Sequence, residues 1–200
     1  MKPIHPFHGL VAATFTPFNT DSSLNLSAIE RYAEHLLQNG LSIAFINGTT
    51  GECASLSVEE RRQLAERWCA VARGTNLSVS VHVGSNCLAD ARALAAHAEK
   101  AGAISVSAFS PSYFKPERLE VLVECCAQIA AAAPNTPFYF YDIPLFTHLS
   151  LPMPEFLEQA AERIPTLAGL KFSNPDLMAY QRCLHVAGGR FDLPFGYDQW

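Results

Sequence analysis

The sequence predicts an α/β fold, a (β/α)8 TIM barrel, here incomplete, carried through six βα units and a seventh strand. Three observations lead there. Apolar runs of strand length, LVAATF, SIAFIN, SVSVHV, ISVSAF, FYFYDI, LAGLKF and FDLPFG, recur at intervals of roughly thirty residues, the size of one βα unit. The stretches between them carry helix punctuation. The first strand is followed by TFTPFNTDSS, without the glycine-rich phosphate turn usual in a doubly wound open sheet, so a closed barrel is favoured.

Several of the runs are apolar almost throughout, as in strands covered on both faces. After strand one, Ser27-Ala28-Ile29-Glu30 fits a capping box and Gly40 a left-handed stop. After strand two, Ser57-Val58-Glu59-Glu60 fits the same box, Leu64, Trp68 and Val71 share a face, and Gly74 ends the helix. The third helix stops at Gly102. Leu119, Leu122, Val123 and Ile129 form the apolar stripe of the fourth. Pro116, Pro154 and Pro175 suit first helical turns, with Asn174 a cap for the last and Gly188 its stop. No linker divides the chain, so residues 1–200 read as one barrel domain lacking the last strand and the C-terminal helices. A C-terminally truncated barrel would expose the edges of strands one and seven, which predicts poor solubility.

Composition narrows function. The 200 residues are 49% hydrophobic and hold 14 Lys plus Arg against 19 Asp plus Glu, a net charge of −5. That balance argues against nucleic acid and against an anionic membrane surface. No apolar run approaches the roughly 18 residues that span a bilayer, and the N-terminus lacks a signal-peptide pattern. The chain reads as cytoplasmic, its six cysteines as reduced thiols without CxxC spacing, and Cys125-Cys126 as helix packing. Its seven histidines show neither HxH nor HExxH, so no metal site is expected, and His82 reads as a satisfied core histidine. A GxSxG elbow is absent too.

In a barrel, chemistry collects at the C-terminal ends of the strands. The residues there are Thr14 and Thr16, the loop Asn47-Gly48-Thr49-Thr50-Gly51-Glu52, Ser110 and Tyr113, Tyr141, Lys171 with Ser173, and Gly196 with Asp198. Lys171 is one of only four lysines and lies inside an otherwise apolar strand. Spacing leaves two readings open. Burial would depress its pKa towards a neutral amine suited to forming a Schiff base, or the side chain snorkels to solvent or a carboxylate. Alternation in FYFYDI sets Tyr139 and Tyr141 on one face and Phe138 and Phe140 on the other. Tyr141 is thus either a proton relay near Lys171 or a core tyrosine. NGTTGE can converge backbone N–H groups and two hydroxyls on a carboxylate, or be a plain strand-to-helix turn that Glu52 braces.

GTTGE after strand two, Tyr141 in YDIP ending strand five, and Lys171 in GLK ending strand six together resemble the pyruvate-dependent class I aldolase family, that of N-acetylneuraminate lyase and dihydrodipicolinate synthase. The resemblance runs from Gly9 to Trp200. It implies that Lys171 forms the imine with a 2-oxo carbon, that Tyr141 relays the proton, and that Thr49 and Thr50 hold the substrate carboxylate. Tyr113 in SYFKP would lie near the site at a subunit contact. Ser173, Gly196, Asp198 and Gln199 would bind a sugar. The synthase branch places an arginine where this chain has Phe146, an apolar ring that cannot pair with a carboxylate. GLKFSNPDL and SYFKP look closest to the sialic acid lyase branch, although Gln199 stands where that branch carries Glu. The resemblance therefore implies a lyase that cleaves a 2-oxo sugar acid such as N-acetylneuraminate to pyruvate and N-acetylmannosamine. It would need no cofactor beyond the covalent imine, and would work as a homotetramer. Another 2-oxo acid aldolase and a catalytically silent barrel stay open.

Overall fold

The computed structural model describes residues 7–199. In chain order the elements are β1 (Val11–Ala13), α1 (Ala28–Gln38), β2 (Ile43–Ile46), α2 (Val58–Ala72), β3 (Ser78–His82), α3 (Leu88–Ala101), β4 (Ser105–Ala108) and α4 (Leu119–Ala131). There follow β5 (Phe138–Asp142), a short α5 (Pro144–Thr147), α6 (Met153–Arg163), β6 (Leu167–Phe172) and α7 (Leu177–His185). The strands form one six-stranded parallel sheet in the order β1-β2-β3-β4-β5-β6, the incomplete (β/α)8 barrel that the alternation predicts. Both ends of the domain read from the sequence, residues 1–6 and 200, lie outside the described residues.

The seventh strand is reduced to two isolated parallel bridges, Gly169 with Asp192 and Phe172 with Phe195. Leu170 N donates to Asp192 O at 3.1 Å and Phe172 N to Pro194 O at 2.9 Å. A continuous ladder would need residue 194 to donate in return, and Pro194 has no N–H. Gly169 is what admits this segment, because a Cβ there would stand 1.6 Å from Asp192 O. At the opposite end, β1 is only partly buried, whereas β2, β4 and β5 are buried at every position.

The helix signals hold in part. Ser57 and Glu60 form the reciprocal box: Glu60 N donates to Ser57 Oγ and Ser57 N to Glu60 Oε2, at 3.2 and 2.8 Å. Ser27 does not cap α1, since its hydroxyl goes to Asn25 Oδ1 at 2.8 Å. The cap of α7 is Asp176, which accepts from Ala179 N, while Asn174 accepts from Asp176 N. Pro154 lies in the first turn of α6, but Pro116 precedes α4. Gly40, Gly74, Gly102 and Gly188 all take positive φ.

The main core lies between the sheet's outer face and the helices. Val79, Val81, Val106, Phe138, Phe140, Leu170 and Phe172 pack there against side chains such as Leu64, Trp68, Leu122, Phe156 and Leu157. Each fully buried side chain of this size contributes about 1.5–3 kcal/mol. No helix among the described residues is long and apolar enough to cross a membrane.

Candidate active site

With one face of each strand committed to the helices, the alternate residues point into the barrel. Register aligns them in layers: His82 opposite Ser107, Ser107 opposite Tyr139, Tyr139 opposite Gly169, and Tyr141 opposite Lys171. Above them is a cavity of about 710 Å³. Lys171, Tyr141, Thr49, Thr50, Ser173, Gly196 and Asp198 all line it, so seven of the nine site residues read from the sequence are brought together. Ser80, Ser107 and Tyr139 line its interior, and Phe15, Leu145 and Phe146 are exposed on its lining.

Lys171 Nζ sits 3.7 Å from the centroid of the Tyr141 ring and donates to Ser173 Oγ at 3.1 Å. Among the described residues no carboxylate lies within ion-pair distance of it. Burial pushes the ammonium below the usual lysine range, opposed by the Tyr141 phenol and by Asp198. Gly196 leaves room for the amine: a Cβ there would stand 2.7 Å from Ser173 Oγ and 3.3 Å from Nζ. Tyr141 is buried, and its ring meets those of Phe45 and His82 edge to face. The Ser173 loop is tied down from the sheet's outer side. Ser173 N donates to Asp142 O at 2.8 Å, and Asn174 Nδ2 to Asp142 Oδ2 at 2.9 Å. Burial raises the Asp142 carboxyl to about 6.

Thr49 and Thr50 are half-buried at the turn after β2. Asn47 enters that turn with φ of 56°, and Thr16 Oγ1 donates to Gly51 O at 2.7 Å, which anchors its far side. Gly51 fits because its Cα approaches backbone; a Cβ would lie 3.2 Å from both Asn47 N and Thr14 O. Glu52 does not brace the loop through its side chain, which points to solvent. Asn47 does, donating to Arg61 O at 2.9 Å.

Two of the nine residues, Tyr113 and Gln199, lie off the cavity in the single chain. Tyr113 is 79% exposed, stacked edge-on against Phe114, and does not line the cavity. Its loop is held outward by Asn86 Oδ1, which accepts from Ser112 N and Tyr113 N. Gln199 is exposed and also off the cavity, beyond Gly196, whose N–H makes the last backbone bond to β6. His82 is only half satisfied: Nδ1 pairs with Ser107 Oγ at 3.1 Å, and Nε2 has no partner among the described residues. Its full burial, with Arg61 and Lys171 nearby, holds the ring neutral. Sequence reading misses Arg61, Asp142 and the floor of the barrel, where Tyr139 Oη and Phe7 N both donate to Asp192 Oδ2 at 2.8 Å. Alternation is the signal that could find the floor, since it sets Tyr139 inward; nothing in spacing marks Arg61. Among the described residues no three His, Cys, Asp or Glu side chains gather to hold a metal ion.

Comparison with known proteins bears on this arrangement. The profile of the Dihydrodipicolinate synthetase family matches residues 6–200. The chain is 45% identical over 192 residues to N-acetylneuraminate lyase A of Xenopus laevis, covering 96% of this chain and 63% of that protein. The solved N-acetylneuraminate lyase of Proteus mirabilis superposes with a TM-score of 0.94 at 42% identity, covering 98% of this chain and 65% of that one. The native N-acetylneuraminate lyase (sialic acid aldolase) from Aliivibrio salmonicida gives 0.94 at 44% identity, with 98% and 64% covered. The chain thus spans roughly two thirds of the length of these relatives, 63–65% in the three named. A parallel βα barrel sheet with a lysine, a tyrosine and a threonine turn at its strand ends, matched by that profile over nearly its full length, belongs to the dihydrodipicolinate synthetase family.

Proposed function

We propose that the chain carries the Schiff-base site of a lyase that cleaves N-acetylneuraminate to pyruvate and N-acetylmannosamine. The observation that carries this reading is the buried Lys171 amine on the face of Tyr141, in one cavity with the Thr49-Thr50 turn. The relatives named N-acetylneuraminate lyase support the choice of substrate.

The steps follow from amine chemistry. Neutral Lys171 adds to the C2 carbonyl of the open-chain sugar acid, and loss of water leaves a protonated imine. Thr49 and Thr50 hold the carboxylate. Tyr141 relays the proton away from the C4 hydroxyl, the C3–C4 electron pair moves into the imine, and N-acetylmannosamine departs as the aldehyde. The remaining enamine takes a proton at C3, and water hydrolyses the imine to release pyruvate and Lys171. The imine itself is the electron sink, so the reading needs no cofactor.

Ser173, Gly196 and Asp198 line the same cavity and would meet a hydroxylated tail in this reading, and Phe146 offers no charge for a second carboxylate. Tyr113 with Phe114 supplies a subunit contact in a homotetramer, a role that suits two exposed aromatic rings. Six free thiols suit a reducing compartment, the cytoplasm. The test is pyruvate release from N-acetylneuraminate by the purified protein beside Lys171→Ala. Release by the parent protein and none by the variant is expected. Release only from a 2-keto-3-deoxy sugar acid would move the substrate, and none from any 2-oxo acid would discard the reading.

A further inference from the structure

Arg61 lies at the start of α2 with 4% of its surface exposed. Its fork is spent on the end of β3: one terminal nitrogen donates to His82 O and the other to Gly84 O, both at 2.9 Å. Its own carbonyl accepts from Asn47 Nδ2, the residue that opens the threonine turn. Nε has no partner among the described residues, and no carboxylate there lies within ion-pair distance. The titratable groups near the guanidinium are the Cys53 thiol, which burial keeps protonated, the half-exposed Asp90 in the first turn of α3, and the buried His82 ring, whose pKa Arg61 helps to depress.

A buried cation held only by neutral carbonyls is costly, and proteins as a rule pair such a charge or neutralise it. The backbone carbonyls at strand C-termini would by themselves repel an anion. Arg61 takes up two of them and sets a positive charge at the end of β3, within electrostatic reach of Cys53 in the β2–α2 segment and with no carboxylate in contact. We propose that Arg61 supplies the positive charge that makes the Thr49-Thr50 turn select a carboxylate. The inference rests on the Schiff-base reading above and deepens it: the hydroxyls and N–H groups of the turn orient the ligand, and Arg61 sets the sign of the charge it accepts. A guanidinium that merely clamps β3 to α2 would favour no charge on the ligand.

The experiment compares two probes that share one reacting carbon, pyruvate and pyruvamide, whose amide is uncharged. Each is incubated with the purified protein and reduced with borohydride. The imine of Lys171 gains hydride and a proton to become a stable secondary amine, measured by mass spectrometry. The ratio of pyruvate to pyruvamide trapping is the readout, because a change in Lys171 basicity or in overall packing moves both probes together. In Arg61→Gln the ratio is expected to fall about tenfold, the scale of one charge acting across a partly buried site. In Arg61→Lys, which keeps the charge and loses the fork, the ratio is expected to stay within about twofold of the parent's while both rates drop. An unchanged ratio in Arg61→Gln overturns the proposal and leaves Arg61 as a clamp. Where Arg61→Gln does not fold, a collapsed ratio in Arg61→Lys overturns it instead. Failure of the parent protein to trap either probe strikes the Schiff-base reading itself, and this inference with it.

Discussion

The two faces of β3 to β6 come from the same four segments and differ in almost every residue. Outward stand Val79, Val81, Val106, Ala108, Phe138, Phe140, Leu170 and Phe172, all under the helices. Inward stand Ser80, His82, Ser105, Ser107, Tyr139, Tyr141 and Lys171. A barrel interior is usually filled with branched aliphatic side chains. Here hydroxyls pair across strands instead, Ser105 Oγ donating to Ser80 Oγ at 2.7 Å and Ser107 meeting His82. Short polar residues satisfy one another without filling the space, so a cavity persists above them. In the proposed reading the outer face carries stability and the inner face the chemistry, and substitutions on the two should separate these properties.

The largest effect is expected at Lys171. Lys171→Ala should abolish borohydride-trapped pyruvate, a loss on the order of a thousandfold or more, while leaving the urea midpoint close to the parent's. Loss of both would blur the division between faces. The mirror experiment is Phe138→Ala on the outer face, expected to destabilise by about 3–5 kcal/mol through transfer and cavity terms. Measured well below its melt, that variant should still trap pyruvate.

Asp142 tests the boundary between the faces. Its carboxyl is raised to about 6 by burial, above the ordinary value near 3.8, so the folded protein binds a proton more tightly than the unfolded chain. The stability this gives is present below pH 4 and is lost as pH rises through about 6. Asp142→Asn should remove that dependence, gaining about 1–3 kcal/mol over the parent at pH 7.5 relative to the same comparison at pH 4. Denaturant curves at the two pH values check the sign. A smaller effect is expected at Gly196→Ala, where the new Cβ meets Ser173 Oγ and Lys171 Nζ. Trapping should slow about tenfold, with stability changed by less than about 1 kcal/mol.

Much of this division is legible in the sequence. Alternation in FYFYDI sets the phenylalanines and the tyrosines on opposite faces, as the barrel has them, and the lysine inside an apolar strand lines the cavity. Periodicity reports on a side chain's face because that is settled within a few residues of chain. It is silent on bonds between distant segments. Arg61 is defined by the carbonyls of His82 and Gly84, and Asp142 by Asn174; Ser27 fails as a cap for a local reason, its hydroxyl going to Asn25 two residues back. The seventh strand reads as a strand from its apolar residues, and Pro194 removes the donor that a continuous ladder requires. Tyr113 and Gln199 come from resemblance alone, and neither lines the cavity.

In the proposed reading Lys171 is a buried, reactive amine. Peptide mapping after reduction of a pyruvate-treated sample tests it directly, with the protein shown to be folded by its melt. An adduct is expected on the peptide that contains Lys171 and none on those containing Lys100 or Lys115. An unmodified Lys171, or label spread over all lysines, would contradict it.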